Sequence, residues 1–266
     1  MYYKKNEGQE LMDWTKIYKN KNGIYINEFM ERWEEGAIQA ENIAKYLQEQ
    51  FPSIKKILDI PCGVGRISIP LSSLGYSLLG VDFSNEFITQ ANKISLDKNL
   101  IDCKFEVGDF SDVSKYIIDF EPNVIINWWT SFGYYDYKQD FDFFLNINKA
   151  AKNGTLLMIE TWHRNNILNH PIKRWWREFG NMLTLNENHI DPLERKLITD
   201  HNYYNKEGDS LKLIDKFTSS IILYDAADII LLLKNTGWKI LDVFNNIIDR
   251  KKFDQTQDRI VVIAVK

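Results

Sequence analysis

The chain is poor in the residues that build sites by covalent or metal chemistry. Its 266 residues include two cysteines, Cys62 and Cys103, and four histidines. Two cysteines exclude a disulfide framework, a zinc ribbon or a redox CxxC pair. His163, His170, His189 and His201 stand apart, with no HExxH and no carboxylate cluster beside them, so no metal site is expected. Lys and Arg total 33 against 37 Asp and Glu, a net charge of −4 that lacks the basic footprint of a nucleic-acid partner. No apolar run is long enough to cross a bilayer, so no membrane partner is expected. The opening residues Met1-Tyr2-Tyr3-Lys4-Lys5-Asn6 lead into polar sequence, so the expectation is no signal peptide and a cytoplasmic protein. There is no internal repeat and no low-complexity tail.

What is present is an apolar fraction of 44%, enough for a sizeable core in one α/β domain with an insertion or in two small domains. Helical spacing of Phe29, Trp33, Ala37, Ala40, Ile43, Ala44 and Leu47 predicts an amphipathic cap over residues 1–50. Tyr18 and Tyr25 precede that helix, to pack or to close over a ligand. From Ile54 the pattern alternates. Strands are expected at Ile57–Ile60, Ser77–Val81, Cys103–Val107, Val124–Asn127 and Thr155–Glu160, with helices at Ile67–Leu74, Phe87–Leu96 and Asp140–Ala150. Such alternation specifies a parallel sheet covered on both faces.

After Trp162 the rhythm changes. Residues 163–180 read as irregular; Lys173-Arg174-Trp175-Trp176-Arg177 reads as a solvated helical face, with contact to an anionic ligand or nucleic acid as the alternative. Met182–Ile190, Leu197–Tyr204 and Leu211–Leu223 read as three antiparallel strands without intervening helices. A helix capped by Asp225 and two strands, Trp238–Phe244 and Arg259–Val265, close the chain. The expected division is a helical cap (1–50), a Rossmann-like domain (51–162 and 224–266) and an inserted antiparallel β lid (163–223).

The chemistry concentrates at strand ends. Ile57-Leu58-Asp59 runs into Ile60-Pro61-Cys62-Gly63-Val64-Gly65-Arg66, where a β-carbon would hold a ligand away from the turn. Unsatisfied N–H groups at the start of the next helix suit a carboxylate, and Asp59 suits an ammonium. A zwitterionic tail satisfies both; a pyrophosphate would be repelled by Asp59. The third glycine of a dinucleotide fingerprint is Ser68, which together with Asp59 speaks against a nicotinamide oxidoreductase. Asp82 ends the second strand, where a carboxylate takes ribose hydroxyls. Phe83 can pack on a purine, and Asp109 can accept from an exocyclic amine. Cys62 is read as a small residue packed under the loop.

These segments resemble the class I S-adenosylmethionine-dependent methyltransferases. Leu58 to Arg66 resembles the family's first motif, Gly80-Val81-Asp82-Phe83-Ser84 its ribose-binding motif, and Gly108-Asp109-Phe110 its adenine-binding one. Asn127-Trp128-Trp129-Thr130-Ser131-Phe132-Gly133-Tyr134 is similar to the segment after the fourth strand in a small-molecule-type subgroup. Asn153 and Thr155 depart from the usual Pro-Gly-Gly turn, and Pro61 replaces the commoner glycine. The resemblance implies a seven-stranded sheet whose last strand is antiparallel. It implies S-adenosyl-L-methionine as cofactor, bound by Asp59, Pro61, Gly63, Gly65, Arg66, Asp82, Phe83, Ser84, Asp109, Phe110, Asn127 and Trp128.

The expected activity is methyl transfer to N or O of a small-molecule acceptor, with the inserted meander as lid. An RNA or protein methyltransferase is the alternative, although no Asn-Pro-Pro-Tyr-type tetrapeptide follows the fourth strand. A non-catalytic cofactor-binding protein of the same fold is a third reading, and an oligomer is left open. His163, after the fifth strand, is the candidate general base and Tyr134 a second catalytic candidate. Trp128 and Trp129 offer aromatic faces to a sulfonium or a cationic acceptor. Arg164 is expected to attract an anionic substrate or to pair with Glu160.

Overall fold

The computed structural model describes residues 24–266, so Tyr18 and the rest of the first 23 residues lie outside the described residues. The cap is two helices, α1 (Ile24–Glu31) and α2 (Trp33–Gln50), broken at Arg32. Buried Ala40, Ile43, Ala44 and Leu47 recur along α2 at the helical period and face the sheet.

The sheet follows from strands that are apolar on both faces. β1 (Lys56–Asp59) sends Ile57 to one side, with Ile69, Leu78 and Ile126, and Leu58 to the other, with Leu79, Ile125 and Leu157. Such runs are stable only between two layers. The first face is covered by α2, α3 (Ser68–Ser73) and α4 (Asn85–Asp97). The second is covered by α5 (Val113–Phe120), α6 (Tyr137–Ala150) and α8 (Ala226–Asn235). A seventh helix in chain order, α7 (Arg164–Asn169), is a single short segment after the fifth strand.

The remaining strands are β2 (Ser77–Asp82), β3 (Cys103–Val107), β4 (Val124–Asn127), β5 (Leu156–Trp162), β10 (Lys239–Phe244) and β11 (Arg259–Val265). With β1 they form one sheet in the order β10-β11-β5-β4-β1-β2-β3. β1 to β5 run parallel, and β11 lies antiparallel between β5 and β10. The order reverses between β1 and β4, the switch point where open α/β sheets bind ligands.

A second sheet, β6 (Arg174–Phe179), β7 (Met182–Asp191), β8 (Lys196–Glu207) and β9 (Ser210–Ile222), is an antiparallel meander. It has four strands, not three. Lys173–Arg177 lies in or beside the edge strand β6 instead of on a helical face, because alternate residues from Trp175 turn inward and Phe179 is buried. The meander packs on the cap through Tyr25, Phe179, Met182 and Tyr203. The Tyr203 hydroxyl donates to Glu28 at 2.8 Å, and Arg177 lies 3.7 Å from the same carboxylate. Tyr25 meets Tyr203 and Phe217 edge-on and is buried in this cluster.

One close approach fixes the β1–β2–β3 corner. A β-carbon on Gly80 would lie 2.5 Å from the Phe105 ring and 3.0 Å from Cys62 Sγ. Cys62 is buried there, beneath the glycine loop. Gly80→Ala is expected to destabilise the protein by about 1–3 kcal/mol through overpacking. A lowered urea midpoint with unchanged slope is the expected reading.

Candidate active site

The C-terminal ends of β1, β2, β3 and β4 open into a cavity whose wall also takes in Phe29 and Arg32 of the cap. Its wall includes Asp59, Pro61, Gly63, Arg66, Asp82, Phe83, Asp109, Trp128, Trp129 and Tyr134. These belong to four separate strand ends, and the sheet order alone brings them together.

Asp59 is 2% exposed and accepts a hydrogen bond from Ser68 Oγ at 2.5 Å. Burial pushes its carboxyl up to about 7, and the neighbouring Asp82 adds to the shift. Ser68, which in the sequence marks only a missing glycine, is therefore the side chain that holds Asp59. Asp82 accepts from the backbone N–H of Gly63 and of Ser84, both at 2.9 Å. Those donors pull its pKa down, yet burial prevails and holds it at about 6. The carboxylate thus ties the glycine loop to the end of β2.

The two loop glycines do different things. Gly63 has φ +55° and open space where a β-carbon would stand, on the cavity wall. Gly65 has φ +82°, and its β-carbon would meet Ile69 at 2.9 Å and Phe105 at 3.1 Å. It is absent from the wall among the described residues and lets the loop settle on α3 and β3.

Ser84 caps α4, its Oγ accepting from Phe87 N at 3.3 Å, and lies behind the wall. Asp109 Oδ1 accepts from Ser111 N at 2.9 Å. Phe110 opens a 3-10 turn, and its side chain lies outside the described residues. Asn127 is fully buried; its Nδ2 donates to the Ile60 carbonyl at 2.9 Å, clamping β4 to the cis Ile60–Pro61 turn. Its side chain does not reach the wall.

The loop after β4 is held in an uncommon shape. Trp129 and Thr130 have φ of 63° and 58°, the left-handed region that non-glycine residues enter at about 1–3 kcal/mol each. Glu160 on β5 holds them there. Its Oε2 accepts from Trp129 N at 2.9 Å, and its carbonyl accepts from Thr130 N at 3.0 Å. Arg259 pairs with both Glu160 oxygens and donates to Thr130 Oγ1 at 3.0 Å. Arg164 does not pair with Glu160; its partners are Asp225 and, at 3.1 Å, Asp228. It is held at the base of α8 and absent from the cavity wall.

The structure does not bring His163 to the cavity. The chain turns into α7 at that residue, His163 N donating to the Asp258 carbonyl at 2.8 Å. The ring is 1% exposed and packs edge-on against Phe253. Burial pushes its pKa below the ordinary imidazole value. Tyr134 does line the cavity, as do Trp128, whose Nε1 donates to Gln39 at 2.9 Å, and Trp129. Phe29 and Arg32 join them without a signal in the sequence beyond helical spacing for Phe29. Among the described residues no group of three or more His, Cys, Asp or Glu could hold a metal. No described helix is long and apolar enough to cross a membrane.

Comparison with known proteins agrees with this geometry. Residues 53–208 match the family described as methyltransferase domain. An S-adenosylmethionine-dependent methyltransferase of Clostridium acetobutylicum superposes with a TM-score of 0.77 at 17% identity, covering 91% of this chain and 98% of that one. The sugar N-methyltransferase KedS8 of a Streptoalloteichus species superposes with a TM-score of 0.70 at 15% identity, covering 93% and 95%. The 23S rRNA (uracil(1939)-C(5))-methyltransferase RlmD of Shewanella baltica is 34% identical over 77 residues, 29% of this chain. That match spans 17% of the RlmD length. With more than half of its residues matched by the family model, the chain belongs to the methyltransferase domain family and is a class I S-adenosylmethionine-dependent methyltransferase.

Proposed function

We propose that the chain transfers a methyl group to N or O of a small-molecule acceptor. The observation that carries this reading is the part the cap takes in the cavity wall. The cap contributes Phe29 and Arg32 to the wall, and the meander is fastened to the cap through Glu28. A concave cavity walled on one side by the cap suits a small acceptor better than a base within a polynucleotide, and the net charge of −4 points the same way. The near full-length likeness to a sugar N-methyltransferase supports it further, since the likeness to an RNA enzyme is confined to 77 residues.

The residues present fit the cofactor. Gly63 leaves room on the wall, and two buried carboxylates, Asp59 and Asp82, face that room with acceptor capacity to spare. S-adenosylmethionine, when bound, supplies an activated methyl group on a sulfonium. In this reading Asp59 holds an ammonium, Asp82 holds vicinal hydroxyls, and Phe83 and Asp109 border the purine. The rest of the protein's task is orientation and exclusion of water. Tyr134 presents the hydroxyl that orients the acceptor. A nucleophile that arrives unprotonated needs no base, so the remote placement of His163 is no obstacle.

Asp82→Ala is expected to weaken S-adenosylhomocysteine binding by about 10- to 100-fold, the loss of hydrogen bonds to a charged acceptor. Calorimetry on a variant shown to be folded measures it; unchanged affinity would remove Asp82 from the ribose site. The acceptor class is tested with methyl-labelled S-adenosylmethionine and a fractionated cell extract. Label is expected in the small-molecule fraction. Label in RNA or protein alone would overturn the reading.

A further inference from the structure

The wall around Trp129 is crowded with positive charge. The guanidinium carbons of Arg32, Arg66 and Arg259 lie 4.0, 4.4 and 5.5 Å from the Trp129 ring centre. Two of the three are answered locally. Arg32 donates to Glu35 at 2.9 and 3.2 Å, and Arg259 is paired with Glu160. Arg66 is not. It is 7% exposed, it lines the cavity, and its Nη1 has no hydrogen-bond partner among the described residues. The Trp129 indole N–H in the same wall also lacks one. Both groups are donors without acceptor capacity, and buried donors left unpaired are costly.

The surrounding acids do not supply the missing acceptor. Glu35, Glu28 and Asp59 favour the charged form of Arg66 through space, but none accepts a hydrogen bond from its Nη1. Burial and the charge of Arg32 lower the Arg66 pKa to about 10, which still leaves it cationic at neutral pH. A buried cation is tolerated when it is paired. Three guanidiniums already approach the Trp129 ring, and their charge disfavours a further cation beside it.

Resting on the small-molecule reading above, we propose that Arg66, with Trp129 Nε1 beside it and Arg32 behind, is an anion subsite, and that the methyl acceptor carries a carboxylate or phosphate held there. The carboxylate of the cofactor's amino-acid tail offers the same chemistry, so the test separates the two sources.

The protein is loaded with S-adenosylhomocysteine and titrated with benzoate, inorganic phosphate and benzylamine. Binding of benzoate or phosphate and not of benzylamine is expected. Arg66→Gln is expected to lower the anion association constant by about tenfold or more in protein saturated with S-adenosylhomocysteine, while leaving the affinity for 5′-methylthioadenosine, a control without a carboxylate, within about twofold. Arg66→Lys keeps the charge and loses the fork, so an intermediate affinity is expected; it also serves if the glutamine variant does not fold. Equal anion binding by parent and variant, no anion binding by the parent, or preference for benzylamine would overturn the proposal. So would an Arg66→Gln loss confined to S-adenosylhomocysteine, with 5′-methylthioadenosine, which lacks the amino-acid tail, bound as before. That pattern would assign Arg66 to the cofactor. Failure of the parent to bind S-adenosylhomocysteine at all would instead overturn the cofactor assignment, and label appearing only in RNA or protein would overturn the acceptor reading.

Discussion

Asp59→Asn is expected to make the ligand-free protein more stable at pH 8, by on the order of 2–4 kcal/mol, and to weaken S-adenosylhomocysteine binding by about tenfold or more. The first effect follows from the cost of a buried charge. The carboxyl moves from 3.8 to about 7 on folding, chiefly by desolvation. Its native pKa is therefore raised, and between these values the native state holds more protons than the unfolded one. Stability then rises as pH falls. The penalty is fully present above about 7 and fades as pH drops toward 4. Asp82, raised to about 6, adds a smaller component of the same sign. Asparagine keeps the shape and can still accept from Ser68 Oγ, so it removes the charge without opening a cavity.

The second effect has the opposite sign for function. An ammonium requires the ionised carboxylate, so binding must expel a proton below about pH 7. Parent affinity is expected to fall between pH 7.5 and 5.5, with proton release seen as buffer-dependent binding enthalpy; the asparagine variant should lose most of that dependence and keep the smaller part that Asp82 carries near 6. Thermal melts at pH 5 and 8 complete the test. A variant no more stable than the parent at pH 8 would show that Asp59 is not carrying this buried charge. A site that costs the empty protein stability is one kept for its ligand.

The cavity wall at the ends of β1 and β2 was legible in the sequence because close approach has few solutions. A strand ending in Asp59, a loop with Gly63, and a second strand ending in Asp82 leave little choice of arrangement, and local signals sufficed. Capping at Asp225 was equally local, its side chain accepting from the backbone N–H three residues on, whereas the cap Asp136 was missed because its helix was read from Asp140. The wall formed by the loop after β4 depended on long-range register. Nothing near Glu160 in sequence marks Arg259 as its partner; they meet because β11 pairs antiparallel with β5, placing Val261 opposite Glu160 and Arg259 opposite Trp162. The same gap misdirected Arg164 and His163, which sit at the expected strand end but are turned away as the chain enters α7. β6 was missed because its charged residues and tryptophans fit a helical face as well as a strand, and only pairing with β7 decides between them. α5 was passed over as a link between strands, although Val113, Tyr116 and Ile117 recur at helical spacing and are buried.

That long-range pair underlies the other large effect. Glu160→Ala is expected to lower stability by about 3–5 kcal/mol, the cost of leaving one member of a buried ion pair alone. Glu160 is 3% exposed, and Arg259 is buried enough that desolvation and the charge of Arg32 lower its pKa to about 9. Removing the carboxylate strands that guanidinium and also frees Trp129 N. The left-handed backbone at Trp129 and Thr130 then loses a hydrogen bond that holds it, and the loop is free to relax toward ordinary angles. Replacing both partners with methionine separates the consequences. The double variant removes the unpaired charge, so most of the stability should return in a urea titration. The loop anchor is still missing, so the wall formed by Trp129, Thr130 and Tyr134 should stay displaced and methyl transfer should stay depressed. Recovery of turnover together with stability would mean that the ion pair serves the fold alone. Recovery of stability without turnover would show that β5 and β11 hold the acceptor wall through this contact.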